Sequence, residues 1–123
     1  MTKEELEFNK NEDKMMQLMG QLQRKLDQVY LGGGKSRIEK EHEKGKLTAR
    51  ERIDYLLDRN AKRIEIGALA ADGMYAEHGG CPSAGVVVVM GYIQKKLCIV
   101  VANDATVKAG AWFPMTGKKN LRA

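Results

Sequence analysis

Two apolar runs, VVVVMGYI at 86–93 and LCIVVA at 97–102, constrain the fold more than any other feature of the chain. Each is shorter than a typical helix and rich in β-branched side chains, which suit a pleated, half-buried surface. The polar triplet Gln94-Lys95-Lys96 between them predicts a turn, so the pair reads as an antiparallel hairpin. The first run shows no polar alternation, which predicts a strand buried on both faces. Beyond it the chain changes character. A small-residue polar loop runs from Asn103 to Pro114, and a helix is expected from Thr116 onward, carrying Lys118, Lys119 and Arg122. The order strand, strand, helix sets backbone N–H groups and lysines at the mouth of a sheet, where an anionic, carbonyl-bearing ligand can be held.

Residues 1–60 are helical by pattern and residues 61–123 are mixed. Thr2 and Glu5 have capping-box spacing. Met15, Leu18, Met19, Leu22, Leu26, Val29 and Tyr30 then recur at three- and four-residue intervals, one apolar face of a long helix. That face suits either its own domain or self-association. Gly32-Gly33-Gly34 ends it, Ser36 is expected to cap a second, highly charged helix through Lys44, and Gly45 breaks that one. A second capping box, Thr48 and Glu51, opens a short helix expected to bury Ile53, Leu56 and Leu57. Residues 63–67 alternate as a short strand. The Gly- and Ala-rich stretch from Ala68 to Gly85 reads as an irregular connection, long enough to suggest function or a partner.

Charge and composition narrow the function classes. The net charge of +5 is uneven: residues 1–60 hold 13 Lys/Arg against 12 Asp/Glu, and residues 61–123 hold 8 against 4. With aromatics at only 6%, the basic half lacks the stacking platforms of a nucleic-acid binder. A phosphorylated small ligand fits better. No apolar run is long enough to span a bilayer, and the acidic opening Met1 to Lys10 lacks a signal-peptide core, so the expectation is a cytoplasmic protein with neither membrane nor nucleic acid as partner. Cys81 and Cys98 match neither a redox pair nor a zinc site. Cys98 is expected to be a small buried hydrophobe.

Several motif readings fail on their own terms. Gly34-Lys35-Ser36 is not a Walker A loop, because the first glycine of that motif falls at Val29 and a helix precedes it. His78, with Glu77 and Cys81, lacks a fourth ligand for a metal, and is expected to bond to backbone. No metal is expected. Ser83 has no adjacent base in the sequence, so no self-contained hydrolase site is read. The loop after the second run remains. Its small residues allow close approach to the backbone, where free N–H groups can stabilise an oxyanion. Lys118, Lys119 and Arg122 lie on overlapping helical faces and can pair with phosphate. A solvated basic helix at a hairpin end is the plainer alternative.

Two segments carry a family resemblance. Residues 45–58, GKLTARERIDYLLD, and residues 101–108, VANDATVK, with Gly110, Pro114, Lys118, Lys119, Leu121, Arg122 and Ala123, resemble the β (carboxyltransferase) subunits of biotin-dependent acyl-CoA carboxylases. The second segment looks most like the methylcrotonyl-CoA carboxylase β branch. The resemblance covers about Gly45 to the end and, weakly, the first helix. It implies an α/β fold, the N-terminal part of a crotonase-like carboxyltransferase domain: a helical extension over 1–60, then the beginning of the domain over 61–123. It implies transfer of a carboxyl group from carboxybiotin, carried on a separate carrier domain, to an acyl-CoA. One thioester-binding N–H is then expected within Val107 to Ala111, with Val107, Lys108, Gly110 and Ala111 as backbone candidates. Lys118, Lys119 and Arg122 are the CoA candidates. A biotin carboxylase or biotin carrier subunit and further copies of the chain are the implied partners. The family is several hundred residues longer, so the chain is expected to be an inactive fragment. A biotin-dependent decarboxylase subunit is the alternative within the family. The alternative of another class is a non-enzymatic helical interaction or nucleic-acid-binding module, against which the unpaired hairpin edges argue.

Overall fold

A computed structural model describes residues 1–123. Four helices and three strands follow in the order α1 (Lys3–Tyr30), α2 (Lys35–Glu43), α3 (Ala49–Leu56), β1 (Ile64–Ile66), β2 (Val86–Ile93), β3 (Lys96–Asn103) and α4 (Pro114–Arg122). The strands form one antiparallel sheet in the order β1-β2-β3, with Ile64 opposite Met90 and Val86 opposite Asn103.

Both expected capping boxes form. Glu5 N–H donates to Thr2 Oγ1 at 3.1 Å while Thr2 N–H donates to Glu5 at 2.7 Å. Thr48 and Glu51 repeat the exchange at 3.3 and 3.2 Å. Ser36 does not cap α2. That helix begins at Lys35, and Gly34, at φ +100°, takes the cap position with no side-chain bond. The last helix starts at Pro114, two residues before the expected Thr116, because proline's fixed φ suits a first helical position. Thr116 instead sits inside the first turn, where its Oγ1 accepts from Phe113 N–H at 3.1 Å.

The core lies on β2. Val87 and Val89 pack against Ala49 and Ile53 from α3 and Leu57 just past its end, while Val86 and Val88 on the opposite face are equally buried. Leu56, expected inside, is 49% exposed, because the helix turns Ile53 and Leu57 to the sheet and Leu56 away from it. The hairpin turn is one residue tighter than expected. Ile93 pairs with Lys96, and Gln94 and Lys95 both take positive φ, the conformation that matches the twist of a two-residue loop. Neither is glycine, and Asp58 offsets the cost. Its two carboxylate oxygens each accept one turn N–H, from Gln94 and Lys95, at 2.7 Å.

Edge strand β3 is covered on one face only, so Leu97, Ile99 and Val101 are exposed. Cys98 is therefore half-exposed rather than buried; α3 covers only Val100 and Ala102 further along the strand. Cys81 is the buried thiol, and burial pushes its pKa up. Helix α1 buries no residue. It touches the body near its end, where Lys25 pairs with Asp72 at 2.7 Å and Arg50 stacks over the Tyr30 ring. Residues 68–85 form the irregular connection, with two short 3-10 turns at Ala76–His78 and Pro82–Gly85.

Candidate functional site

The chain leaves β3 into a tightly bonded turn. Asp104 N–H donates to Gly85 O at 2.9 Å, tying the turn to the start of β2. The buried Asp104 carboxylate accepts from Thr106 N–H at 2.9 Å and from Thr106 Oγ1 at 2.6 Å, an Asx turn. Val107 then buries its side chain with Ala71, Cys81 and Ala84.

Lys108 and Ala109 follow at φ +50° and +53°, a region that costs L-residues about 1–3 kcal/mol each. This geometry sorts the loop's N–H groups. Val107 N–H donates to Asp104 O, Gly110 N–H to Val107 O and Ala111 N–H to Lys108 O, at 3.0–3.1 Å. The N–H groups of Lys108 and Ala109 donate to no protein acceptor. Among the four backbone candidates Lys108 thus keeps its N–H free, and its neighbour Ala109, absent from the sequence candidates, is the second free donor. Only the small-residue character of the loop hinted at Ala109, since its backbone conformation comes from contacts remote in sequence.

The three basic candidates part company on α4. Lys118 and Arg122, four residues apart, share an exposed face. Lys119 turns inward, where it is 8% exposed. Its Nζ donates to Ser83 Oγ at 2.6 Å, to Val86 O at 2.6 Å and to Ser83 O at 2.9 Å. Burial pulls its pKa down from 10.5 to about 8, with nearby Glu65 opposing. At neutral pH the group is an ammonium with all three protons engaged and no lone pair. Buried against Ser83 and Val86, it does not reach a phosphate at the surface. The pair fastens α4 to the turn before β2.

The remaining polar candidates are placed plainly. His42 pairs with Glu51 at 2.7 Å. His78 does not bond to backbone; its exposed ring stands beside Glu77 and tilts against Phe113 at 5.7 Å. Phe113 also stacks on Tyr75 at 4.3 Å, and the Tyr75 hydroxyl accepts from Met115 N–H at 3.2 Å, so the connection 68–85 braces the start of α4. No three His, Cys, Asp or Glu side chains are grouped to hold a metal ion. A groove of about 880 Å³ runs between α3 and the end of β3, lined by Arg52, Ile53, Val101, Asn103 and Asp104.

Residues 40–123 match the carboxyl transferase domain family. The chain belongs to that family. It is 44% identical over 121 residues to a probable mitochondrial methylcrotonoyl-CoA carboxylase beta chain of Drosophila melanogaster, covering 98% of this chain and 21% of that protein. It is 42% identical over 111 residues to a biotin-dependent 3-methylcrotonyl-coenzyme A carboxylase beta1 subunit of Mycobacterium tuberculosis, covering 90% and 21% respectively. A solved transcarboxylase 12S, described as a hexamer assembly with methylmalonyl-coenzyme A bound, superposes with a TM-score of 0.76 at 32% identity over 88% of this chain and 22% of its own. The chain thus spans about a fifth of the length of these relatives. Its α/β architecture is that of a carboxyltransferase domain of the crotonase-like kind. The two segments behind the resemblance both serve the carboxyl transferase fold. Residues 45–58 supply the capped core helix and the Asp58 turn anchor, and residues 101–108 supply the Asx turn before the free amides.

Proposed function

We propose that this chain contributes the thioester side of an acyl-CoA cleft in a biotin-dependent carboxyltransferase. The observation that carries this reading is the pair of unpartnered N–H groups at Lys108 and Ala109, held next to a buried turn. Such donors stabilise the negative charge that builds on a thioester oxygen as the acyl carbon becomes nucleophilic. Lys118 and Arg122 would face the CoA phosphates. We assign none of these residues to biotin, which would arrive on a separate carrier and supply the activated carboxyl group. The methylcrotonyl-type relatives favour a branched, unsaturated acyl-CoA, and a biotin carboxylase or carrier subunit is the proposed partner. The proposed division sets a helical region, 1–60, before the start of the carboxyltransferase domain, 61–123. The compartment proposed is the cytoplasm, which suits two unbridged thiols; enrichment of the protein in mitochondria on fractionation would reassign it.

Replacing Lys118 and Arg122 together by alanine in the enzyme is expected to raise KM for acyl-CoA about tenfold with kcat nearly unchanged, since exposed cations supply uniform binding. Steady-state kinetics at low salt measures this. An unchanged KM would remove both residues from the CoA site.

Copies of the chain are proposed to associate through α1. Phe8, Met15, Met19 and Leu22 recur along one face and are 40–68% exposed. An apolar stripe of this kind seeks a partner. Met15→Glu combined with Met19→Glu is expected to lower the mass of the assembly in light scattering. An assembly of unaltered mass would place the contact elsewhere.

A further inference from the structure

We propose that the junction between α1 and α2 clamps the 104–109 loop, with Gly33 and Arg37 as positioning residues for carboxyl transfer. The inference rests on the reading that the Lys108 and Ala109 amides receive the thioester oxygen. It goes further by assigning to the glycine linker a role in that step.

The contacts converge on Thr106. Gly33 N–H donates to Thr106 Oγ1 at 3.0 Å, and the hydroxyl in turn donates to Asp104 Oδ1 at 2.6 Å. Thr106 N–H also goes to Asp104, at 2.9 Å. Arg37 Nη1 completes the set by donating to Thr106 O at 3.3 Å. Every polar group of Thr106 is engaged, and half of those bonds come from a segment about 70 residues away in the chain.

The approach is backbone on backbone. A Cβ added to Gly33 would stand 1.7 Å from Thr106 O, and one added to Gly32 would stand 2.6 Å from Asp104 Oδ2. Only glycine admits that closeness. The linker therefore carries steric information that its composition alone does not show.

Helix α2, moreover, buries none of its residues, so packing does not account for its place. Two polar ties hold it instead, one from Arg37 to the loop and one from His42 to Glu51 of α3. The Asx turn within 104–106 sets the shape of the loop but not its position over the sheet. Two consecutive residues at positive φ persist only where their surroundings over-determine them. The clamp supplies part of that constraint, two residues before the free donors. Displacing such donors by a fraction of an ångström weakens them in the transition state, where they act, and hardly in the ground state.

The test uses the full-length enzyme that carries this chain. Arg37→Met removes one tie from an exposed side chain, Thr106→Val removes the hydroxyl, and Thr106→Ser retains it. Two readouts are taken: kcat and KM for carboxyl transfer to acyl-CoA, and amide hydrogen exchange over 104–111. Arg37→Met and Thr106→Val are expected to lower kcat roughly tenfold with KM within about twofold. Exchange over 104–111 should rise about tenfold while that over 86–93 stays unchanged, and Thr106→Ser should restore both readouts. Unchanged exchange would overturn the clamp. Faster exchange with unaltered kcat would overturn its part in the reaction. If the unmodified enzyme transfers no carboxyl group to acyl-CoA, the functional reading itself falls, and the exchange data alone still decide whether the clamp exists.

Discussion

Replacing Ile53 with alanine is expected to destabilise the protein by about 2–5 kcal/mol, the range for removing a large buried aliphatic side chain. Ile53 is 3% exposed, at the centre of the cluster formed with Ala49, Leu57, Val87 and Val89. Both β-branched valines are held in the β2 ladder, and α3 is fixed at its start by the Thr48 capping box. The backbone therefore has little freedom to collapse into the void, which favours the upper part of the range. Leu56→Ala is the internal control. One position from Leu57 in sequence but 49% exposed, it should cost less than about 1 kcal/mol. Urea denaturation of both variants measures the contrast. Equal losses would mean that α3 presents a different face to the sheet.

The Ile53 and Leu56 pair also shows where the sequence is legible. Hairpin, capping boxes and glycine breaks rest on interactions within a few residues, and all of them form. The errors sit where a distant contact decides. Leu56 and Leu57 are equivalent by composition, and only the rotation of α3 against β2 separates them. The turn at Gln94-Lys95 lacks the usual glycine because Asp58, 36 residues earlier, supplies the two acceptors that hold it. Ser36 fails as a cap because α2 already begins at Lys35, with Gly34 at the cap position. The candidate loop follows the same rule. Its location after β3 was readable from small residues at a strand end. Which N–H groups stay free depends on Asp104, Gly85 and the positive φ values of residues 108 and 109, and no short-range signal encodes those. Lys119 is the sharpest case: three neighbouring cations share one basic helix by pattern, and only the turn at Ser83 draws one of them inside.

Lys119→Met is expected to destabilise the protein by about 1–3 kcal/mol at pH 7, with the gap between variant and parent widening above pH 8. Two effects compete at neutral pH. The ammonium is penalised for being buried, which is why its pKa falls to about 8. Against that, it satisfies Ser83 O, Ser83 Oγ and Val86 O, and a hydrogen bond from a charged donor is worth about 1.5–3 kcal/mol. Methionine makes none of these bonds and would leave the carbonyls of Ser83 and Val86 without that donor, which is the loss expected for the variant. The pH dependence has a definite sign. Between pH 8 and 10.5 the folded protein has lost the Lys119 proton while the unfolded chain still holds it, so stability rises with pH through that window. The neutral amine loses little in the exchange, because it keeps two N–H donors for the carbonyls and gains a lone pair to accept from Ser83 Oγ. Methionine at this position has no such slope. Urea midpoints of parent and variant at pH 7, 8.5 and 10 decide the matter. A variant more stable than the parent at pH 7, or a gap that narrows as pH rises, would show that Lys119 is a tolerated burial rather than the bolt between α4 and the turn that starts β2.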